Sequence, residues 1–336
     1  MILNMTITGT SSTKSIMIIS IDSGSTVAVY SDAACTTLVK NAVEKSSGEF
    51  WITDLNNGTY YIKAILNEDT AIISYTISEY GVYRIVMTYS TIPTFSYSGT
   101  YAVVEDDDTP ISNPSSYRGA NWKIRFLTSG TLNISALSTA KDGVDIFLVG
   151  GGGGGGYGGG INTNNARSGG GGGYTKSVAQ ISLTEGIDYP VAIGAGGDAG
   201  ITDTCGGDGG SSSIFGETAN GGRGGRSSSN APTNFSNGGS GGGQGITGSG
   251  GTDGGNGANS TTSSGLGQGT STREFYEIDA NTSATLYSSG GRSINQSPSS
   301  SGDDNTGDGG DGVPNTLSIT AGNGGSGIVI IRNARS

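Results

Sequence analysis

From Gly150 onward the chain returns repeatedly to runs of glycine, and this recurrence limits its possible folds more than any other feature. The runs span 150–160 (broken by Tyr157), 169–173, 194–197, 206–210, 221–225, 238–243, 248–257, 265–269, 290–291, 307–312 and 322–327. Only eight of the 64 glycines precede Gly143. A residue without a Cβ builds no side-chain core, and it loses more freedom on ordering than any other. Such a tract is therefore either a flexible linker or a scaffold whose backbones pack directly.

Three features oppose the linker. The tract is bracketed by two apolar strands, Val144–Val149 and 328–331, suited to pairing in one sheet. Its loops carry buriable residues such as Tyr174, Ile181, Val191, Phe215, Phe275 and Tyr287. Its runs recur at short intervals instead of forming one spacer. Glycine suits an extended left-handed helix of three residues per turn, rising ~3.1 Å per residue. That backbone has no internal hydrogen bonds, so each buried N–H and C=O needs an outside partner. Glycine helices side by side supply one another, because no Cβ holds them apart.

The first ninety residues are of an ordinary kind. Short β-branched and aromatic stretches at 16–19, 26–30, 50–52, 60–65, 71–75 and 83–87 are separated by turn signals such as Asn56-Asn57-Gly58, which predicts a seven-strand sandwich. Segment 47–61 resembles the closing hairpin of prealbumin-like domains in bacterial surface proteins. A linker at Thr91-Ile92-Pro93 leads to strands over 95–104, 122–127 and 131–134 and to an acidic turn at 105–108, expected to be solvated. No helix is expected anywhere. The fold class is all-β: an N-terminal prealbumin- or Ig-like sandwich over 1–90, expected to serve attachment, then a glycine-rich β-sandwich domain with a bundle of polyglycine II helices over 95–336. Within the latter, strands fill 95–149, glycine helices and loops 150–327, and a closing strand 328–332.

Composition excludes several functions. The net charge is −11, a poor match to nucleic-acid backbones. The absence of histidine rules out Ser-His-Asp, Cys-His and histidine-metal centres. Cys35 and Cys205 form no disulfide framework. No apolar run approaches ~18 residues, so no membrane insertion is expected. The first residues lack a signal-peptide pattern, and synthesis in a cytoplasm is expected. The Gly-x-Gly-x-x-Gly strings lack the strand-to-helix context of a nucleotide site. The acidic stretch 302–312 has the oxygen-rich chemistry of a calcium loop without its spacing, and is read as solvated. No cofactor, metal site or catalytic group is expected.

The order of 122–127, 144–149, Gly150–Gly156, the Gly173-Tyr174 exit, 191–197 and Gly324-Gly325-Ser326-Gly327-Ile328-Val329-Ile330-Ile331-Arg332 resembles the glycine-rich domain of phage tail-fibre and tail-tip adhesins. The resemblance covers about 95–336. It implies a non-enzymatic receptor-binding protein of the virion, made in the host cytoplasm. Its partners would be a host-surface glycan, wall polymer or protein, together with other tail or fibre proteins. A bacterial surface adhesin is the second reading, and a fibre-borne polysaccharide depolymerase the third. The first ninety residues do not look like the docking domain of T-even-type tip adhesins.

If successive runs alternate up and down, their loops sort to two ends. One end receives 161–168, 198–205, 226–237, 258–264 and 292–306. The other receives 174–193, 211–220, 244–247, 270–289 and 313–321. The second set is rich in buriable residues and is expected to pack on the 95–149 strands. The first is rich in Asn, Ser and Thr, and polar loops on a rigid scaffold are where binding concentrates. Receptor contacts are therefore expected from Asn162, Asn164, Asn165, Arg167, Asn230, Asn234, Phe235, Arg292, Asn295 and Gln296. Asn, Gln and Arg supply polar contacts and Phe235 a stacking face.

Overall fold

A computed structural model describes residues 14–66, 69–87, 92–117, 121–137, 143–158, 168–227, 237–240, 242, 272–294, 298–313 and 319–334. The chain is all-β and divides into two compact units. The first comprises Met1–Thr94, Asn113–Ala120 and Ala136–Lys141, and the second Phe95–Ser112, Asn121–Ser135 and Asp142–Ser336.

The first unit holds β1 (Ser15–Ser20), β2 (Thr26–Tyr30), β3 (Leu38–Asn41), β4 (Val43–Ser46), β5 (Glu49–Leu55), β6 (Gly58–Leu66), β7 (Asp69–Ile77) and β8 (Val82–Val86). They form two four-stranded sheets, β4-β5-β1-β8 and β3-β2-β6-β7. Alternation puts Met17 and Ile19 of β1, Phe50 and Ile52 of β5 and Tyr60, Ile62 and Ala64 of β6 into one core. Eight strands form where seven were expected; β3 and β4 are short and largely exposed, with Leu38, Val39 and Val43 turned to solvent.

The second unit adds β9 (Thr94–Tyr97), β10 (Tyr101–Glu105), β11 (Trp122–Phe126), β12 (Gly130–Ala136), β13 (Val144–Val149), β14 (Thr175–Ile181), β15 (Asp188–Val191), β16 (Ser212–Ile214), β17 (Glu217–Ala219), a single helical turn α1 (Tyr276–Asp279) and β18 (Ile328–Asn333). The main sheet runs β10-β11-β18-β13-β14, with β15-β12-β9 and the hairpin β16-β17 beside it. The two bracketing strands pair as expected: β13 and β18 are antiparallel, Val149 opposite Ile328. Every β13 side chain is buried. Phe147, Val149, Ile328 and Ile330 pack with Phe275 and Tyr287 from the loop that carries α1. The acidic turn is not simply solvated, because Asp108 pairs with both Lys123 and Arg125. Lys123 is buried and also contacts Glu274 at 2.8 Å. Cys35 and Cys205 are free thiols.

The glycine tract forms a hydrogen-bonded bundle of extended runs. Label the described runs I (150–158), II (168–174), III (194–200), IV (204–210), V (220–226), VI (237–240 and 242), VII (288–292), VIII (307–313) and IX (322–327). Run I is central and bonds with a period of three. Gly150, Gly153 and Gly156 donate to Tyr174, Gly171 and Ser168 of run II. Gly151, Gly154 and Tyr157 donate to Gly210, Gly207 and Thr204 of run IV, and Gly152 and Gly155 to Gly325 and Gly322 of run IX. Its carbonyls accept from runs V (Gly222, Gly225), III (Gly197, Gly200) and VIII (Gly310, Val313), all at 2.8–2.9 Å.

Run I thus has six neighbours. The three that accept from it are antiparallel to it, and the three that donate to it are parallel. The six also bond to one another in a closed ring, II-V-IV-III-IX-VIII, through pairs such as Gly171 to Arg223 and Gly324 to Gly197. The three-residue turn of the helix places successive residues at ~120° intervals, which permits this hexagonal arrangement. A Cβ at any of Gly150–Gly156 would sit 1.9–2.2 Å from a neighbouring carbonyl oxygen, so only glycine fits the centre.

Candidate binding end of the glycine bundle

The end where run I leaves β13 and run IX enters β18 is proximal, and the other is distal. The proximal connections become sheet and core: β14 pairs with β13, β15 with β12, and Phe275 and Tyr287 join the central cluster. This is the packing expected for 174–193 and 270–289.

The directions of the runs depart from strict alternation. Run VI lies antiparallel to run II, with Gly238 against Gly172 and Gly242 against Gly169, so it points the same way as run V. Run VIII also ascends, because Gly310 and Val313 bond in parallel to Gly153 and Gly156. The cause is an additional extended segment, 298–303, that descends beside run IX, with Ser300 against Gly322 and Asp303 against Gly325. It contains a single glycine, Gly302. It lies outside the ring, where Gly302 alone faces backbone (a Cβ there would lie 2.1 Å from the Asp308 carbonyl oxygen) and the other side chains are exposed or half-buried, so counting glycine runs misses it. Connection 313–321 is therefore distal, not proximal as expected.

At the distal end, Ile201–Thr204 forms a tight turn with positive φ at Thr202 (48°) and Asp203 (61°). The Thr204 hydroxyl locks it, accepting from the Ile201 N–H at 2.8 Å and donating to the Ile201 carbonyl at 2.6 Å. Ile201 is 68% exposed at its tip. Behind it, Ile294, Val313 and Ala321 form a small apolar core with Tyr157, Ala199 and Ile319. This core joins the ends of runs I, III, VII, VIII and IX. Buried Ser168 accepts the Arg226 N–H at 2.7 Å and ties runs II and V together at the same level.

Among the expected contact residues, Arg292 falls within the described structure. Asn162, Asn164, Asn165, Arg167, Asn230, Asn234, Phe235, Asn295 and Gln296 lie outside the described residues. Arg292 is at the distal end as expected, but its guanidinium is engaged. It meets buried Asp311 at 2.7 Å (Nη2 to Oδ2) and 3.3 Å (Nε to Oδ1). The hydrogen bond and charge of Asp311 raise the Arg292 pKa further above its ordinary value. Asp311 also accepts the N–H groups of Arg292 and Ser300, at 2.7 and 3.0 Å. The pair fastens run VII, run VIII and segment 298–303 to one another. Asp308, one turn below, accepts the Ser289 N–H at 2.7 Å, and burial pushes its carboxyl above the ordinary range. The acidic stretch 302–312 is thus partly a set of backbone acceptors inside the bundle. Among the described residues no group of three His, Cys, Asp or Glu side chains could hold a metal ion.

The turn residues Ile201, Thr202 and Asp203 were not singled out from sequence. Nothing in Gly-Ile-Thr-Asp-Thr-Cys marks Ile201 as exposed; only the locked turn does. Among the described residues, the 201–204 turn and the small core behind it present a mixed apolar and polar surface at the distal end.

The profile of the glycine-rich domain family matches residues 127–334. No curated protein matches the chain. Among solved structures, BcpA*, the major pilin subunit of Bacillus cereus, is similar at 10% identity and a TM-score of 0.21, over 40% of this chain and 42% of the pilin. The chain thus spans less than half of that pilin's length.

Proposed function

We propose that this chain, which belongs to the glycine-rich domain family, is a receptor-binding protein of a phage tail fibre or tail tip, with no enzymatic activity of its own. It would adsorb the virion to the host surface through its distal connections. The observation that carries the reading is the division of labour between the two ends. Proximal connections are consumed by sheet and core, whereas the distal turn 201–204 holds Ile201 out to solvent on a hydrogen-bonded scaffold. A large apolar side chain at a rigid tip is a ready contact for a partner.

The test is binding of the fluorescently labelled full chain to a panel of bacterial cells, alongside an Ile201→Asp variant and a chain whose 159–167 connection is exchanged for a Ser-Gly linker. One strain should bind the parent at least tenfold better than either altered chain, with melting unchanged. Equal binding by all three proteins would remove the distal end from the function. Release of sugar from the host wall polymer during the incubation would favour the depolymerase reading instead.

A further inference from the structure

The proximal side of the glycine-rich unit carries a pocket of about 470 Å³ between β15 and the hairpin β16-β17. This lies within the ~300–1,000 Å³ range of small-molecule sites. Its apolar wall includes Tyr189, Pro190 and Phe215, and its polar lining is Ser182, Ser213 and Thr218. No charged side chain lines it.

Three features hold the aromatic wall in place. The hairpin turns through Phe215 and Gly216, both with positive φ (52° and 80°). Such a two-residue turn favours Asn or Gly at its first position, and a bulky aromatic there is an outlier. The strained turn sets the Phe215 ring edge-on to Tyr189, with centroids 4.9 Å apart and planes at 84°. Tyr189 is fixed in turn, because its hydroxyl accepts the Thr184 N–H at 2.9 Å and donates to the Thr184 carbonyl at 3.3 Å. The two walls are also joined by the paired bonds of Ala192 and Ser213, at 2.9 and 3.0 Å. Both rings remain partly exposed.

We infer that this pocket binds an uncharged sugar unit of a glycan, held by C–H contacts to Tyr189 and Phe215 and by hydroxyl contacts to Ser182, Ser213 and Thr218. The chemistry of the lining selects the ligand. With no charge in the pocket, an ionic ligand would lose its hydration without a counter-charge. Hydroxyls that both donate and accept match sugar hydroxyls. Fixed rings offer an apolar surface at little entropic cost on binding. Strain at a special backbone position is often kept where it serves a site, and here it places the Phe215 ring. The site is independent of the distal receptor reading.

Saturation-transfer NMR on the full chain tests it, with neutral hexasaccharides of glucose, galactose and N-acetylglucosamine as probes. At least one should show transfer to its ring C–H protons. Phe215→Asn suits the turn but removes the ring, and it should reduce transfer at least fivefold while the melting temperature holds. Ser182→Tyr at the rim should reduce it as well, and keeps the test valid if the first variant misfolds. Ile201→Asp should leave it unchanged. Absence of transfer from all three sugars, or equal transfer in both pocket variants, overturns the inference. So does displacement of the sugar by a proline decamer, which would mark the aromatic wall as a peptide groove.

Discussion

The central claim about the bundle, that position and not glycine content dictates glycine, makes a sharp prediction for Gly154→Ala. The new Cβ would lie 2.0 Å from the Asp198 carbonyl oxygen and 2.8 Å from that of Gly197. A tolerable contact is ~3.2 Å, so run III would have to retreat by about 1.2 Å, a distance that takes a 2.8 Å bond beyond hydrogen-bonding range. The bonds at stake are those from Gly197 to Gly152 and from Gly200 to Gly155. Each buried group left unpaired costs about 1–3 kcal/mol, offset by ~0.4–1 kcal/mol from the stiffer unfolded chain. The net loss is about 2–5 kcal/mol, or roughly 5–15 °C for a unit of this size. The control is Gly207→Ala, where the nearest heavy atom to a new Cβ is the Asp198 nitrogen at 3.1 Å. It should shift melting by less than ~2 °C. Calorimetry of the full chain reads both, following the transition of the glycine-rich unit. Exchange of the Gly197 and Gly200 amides localises the damage. Equal destabilisation by the two alanines would refute the positional argument.

Three further outcomes are expected. Asp308 has a folded-state pKa raised by burial, so its contribution is fully present below the ordinary carboxylate value and is lost as pH rises through the raised value. Asp308→Asn keeps an acceptor for Ser289, should match or exceed the parent's melting temperature at neutral pH, and should show less decline from pH 4 to pH 7. Asp145, 0% exposed, pairs with buried Arg332 at 3.1 Å. Asp145→Ala should cost about 3–5 kcal/mol by denaturant titration, whereas a loss below ~1 kcal/mol would show that the Asp279 contact of Arg332 is sufficient. Asp311→Ala removes the acceptor of Arg292 and Ser300. Amide exchange should accelerate over 288–294 and 298–303 and leave run I protected; acceleration in run I would contradict the layered arrangement.

What the sequence discloses depends on where each Cβ points. β2 and β13 were legible because their apolar residues face a core. The central runs were legible because carbonyl oxygens exclude any side chain from them. β3 and β4 were not, since they are only four residues each and their apolar residues, Leu38, Val39 and Val43, face solvent instead of a core. Segment 298–303 was missed for the same reason: it obeys the geometry of a glycine helix, but its outer position leaves serine free to occupy it. The missed segment then reversed the expected direction of run VIII. The short run at Gly290–Gly291 was nonetheless real, and it placed Arg292 at the distal end.

The same layering bears on how such a chain can change its specificity. The bonds between run I and its six neighbours link backbone to backbone, so run I itself makes no demand on the sequence of the connections around it. The contact between ring run VIII and run VII, which lies outside the ring, is different. Runs VII and VIII are parallel, with Gly309 and Gly312 donating to Ser289 and Arg292. The N–H groups of Ser289 and Arg292 then turn to side chains, those of Asp308 and Asp311. The 201–204 connection joins runs III and IV, which bond to each other through backbone alone, so its sequence can vary. Connections rooted on runs VII and VIII are tied to particular side-chain acceptors three residues apart. Exchange of the 201–204 turn for unrelated turn sequences should leave melting within ~2 °C, whereas exchange of a segment that includes Asp308 or Asp311 should not. Variation in binding is thus expected to concentrate on connections such as 201–204, whose flanking runs bond to each other through backbone alone.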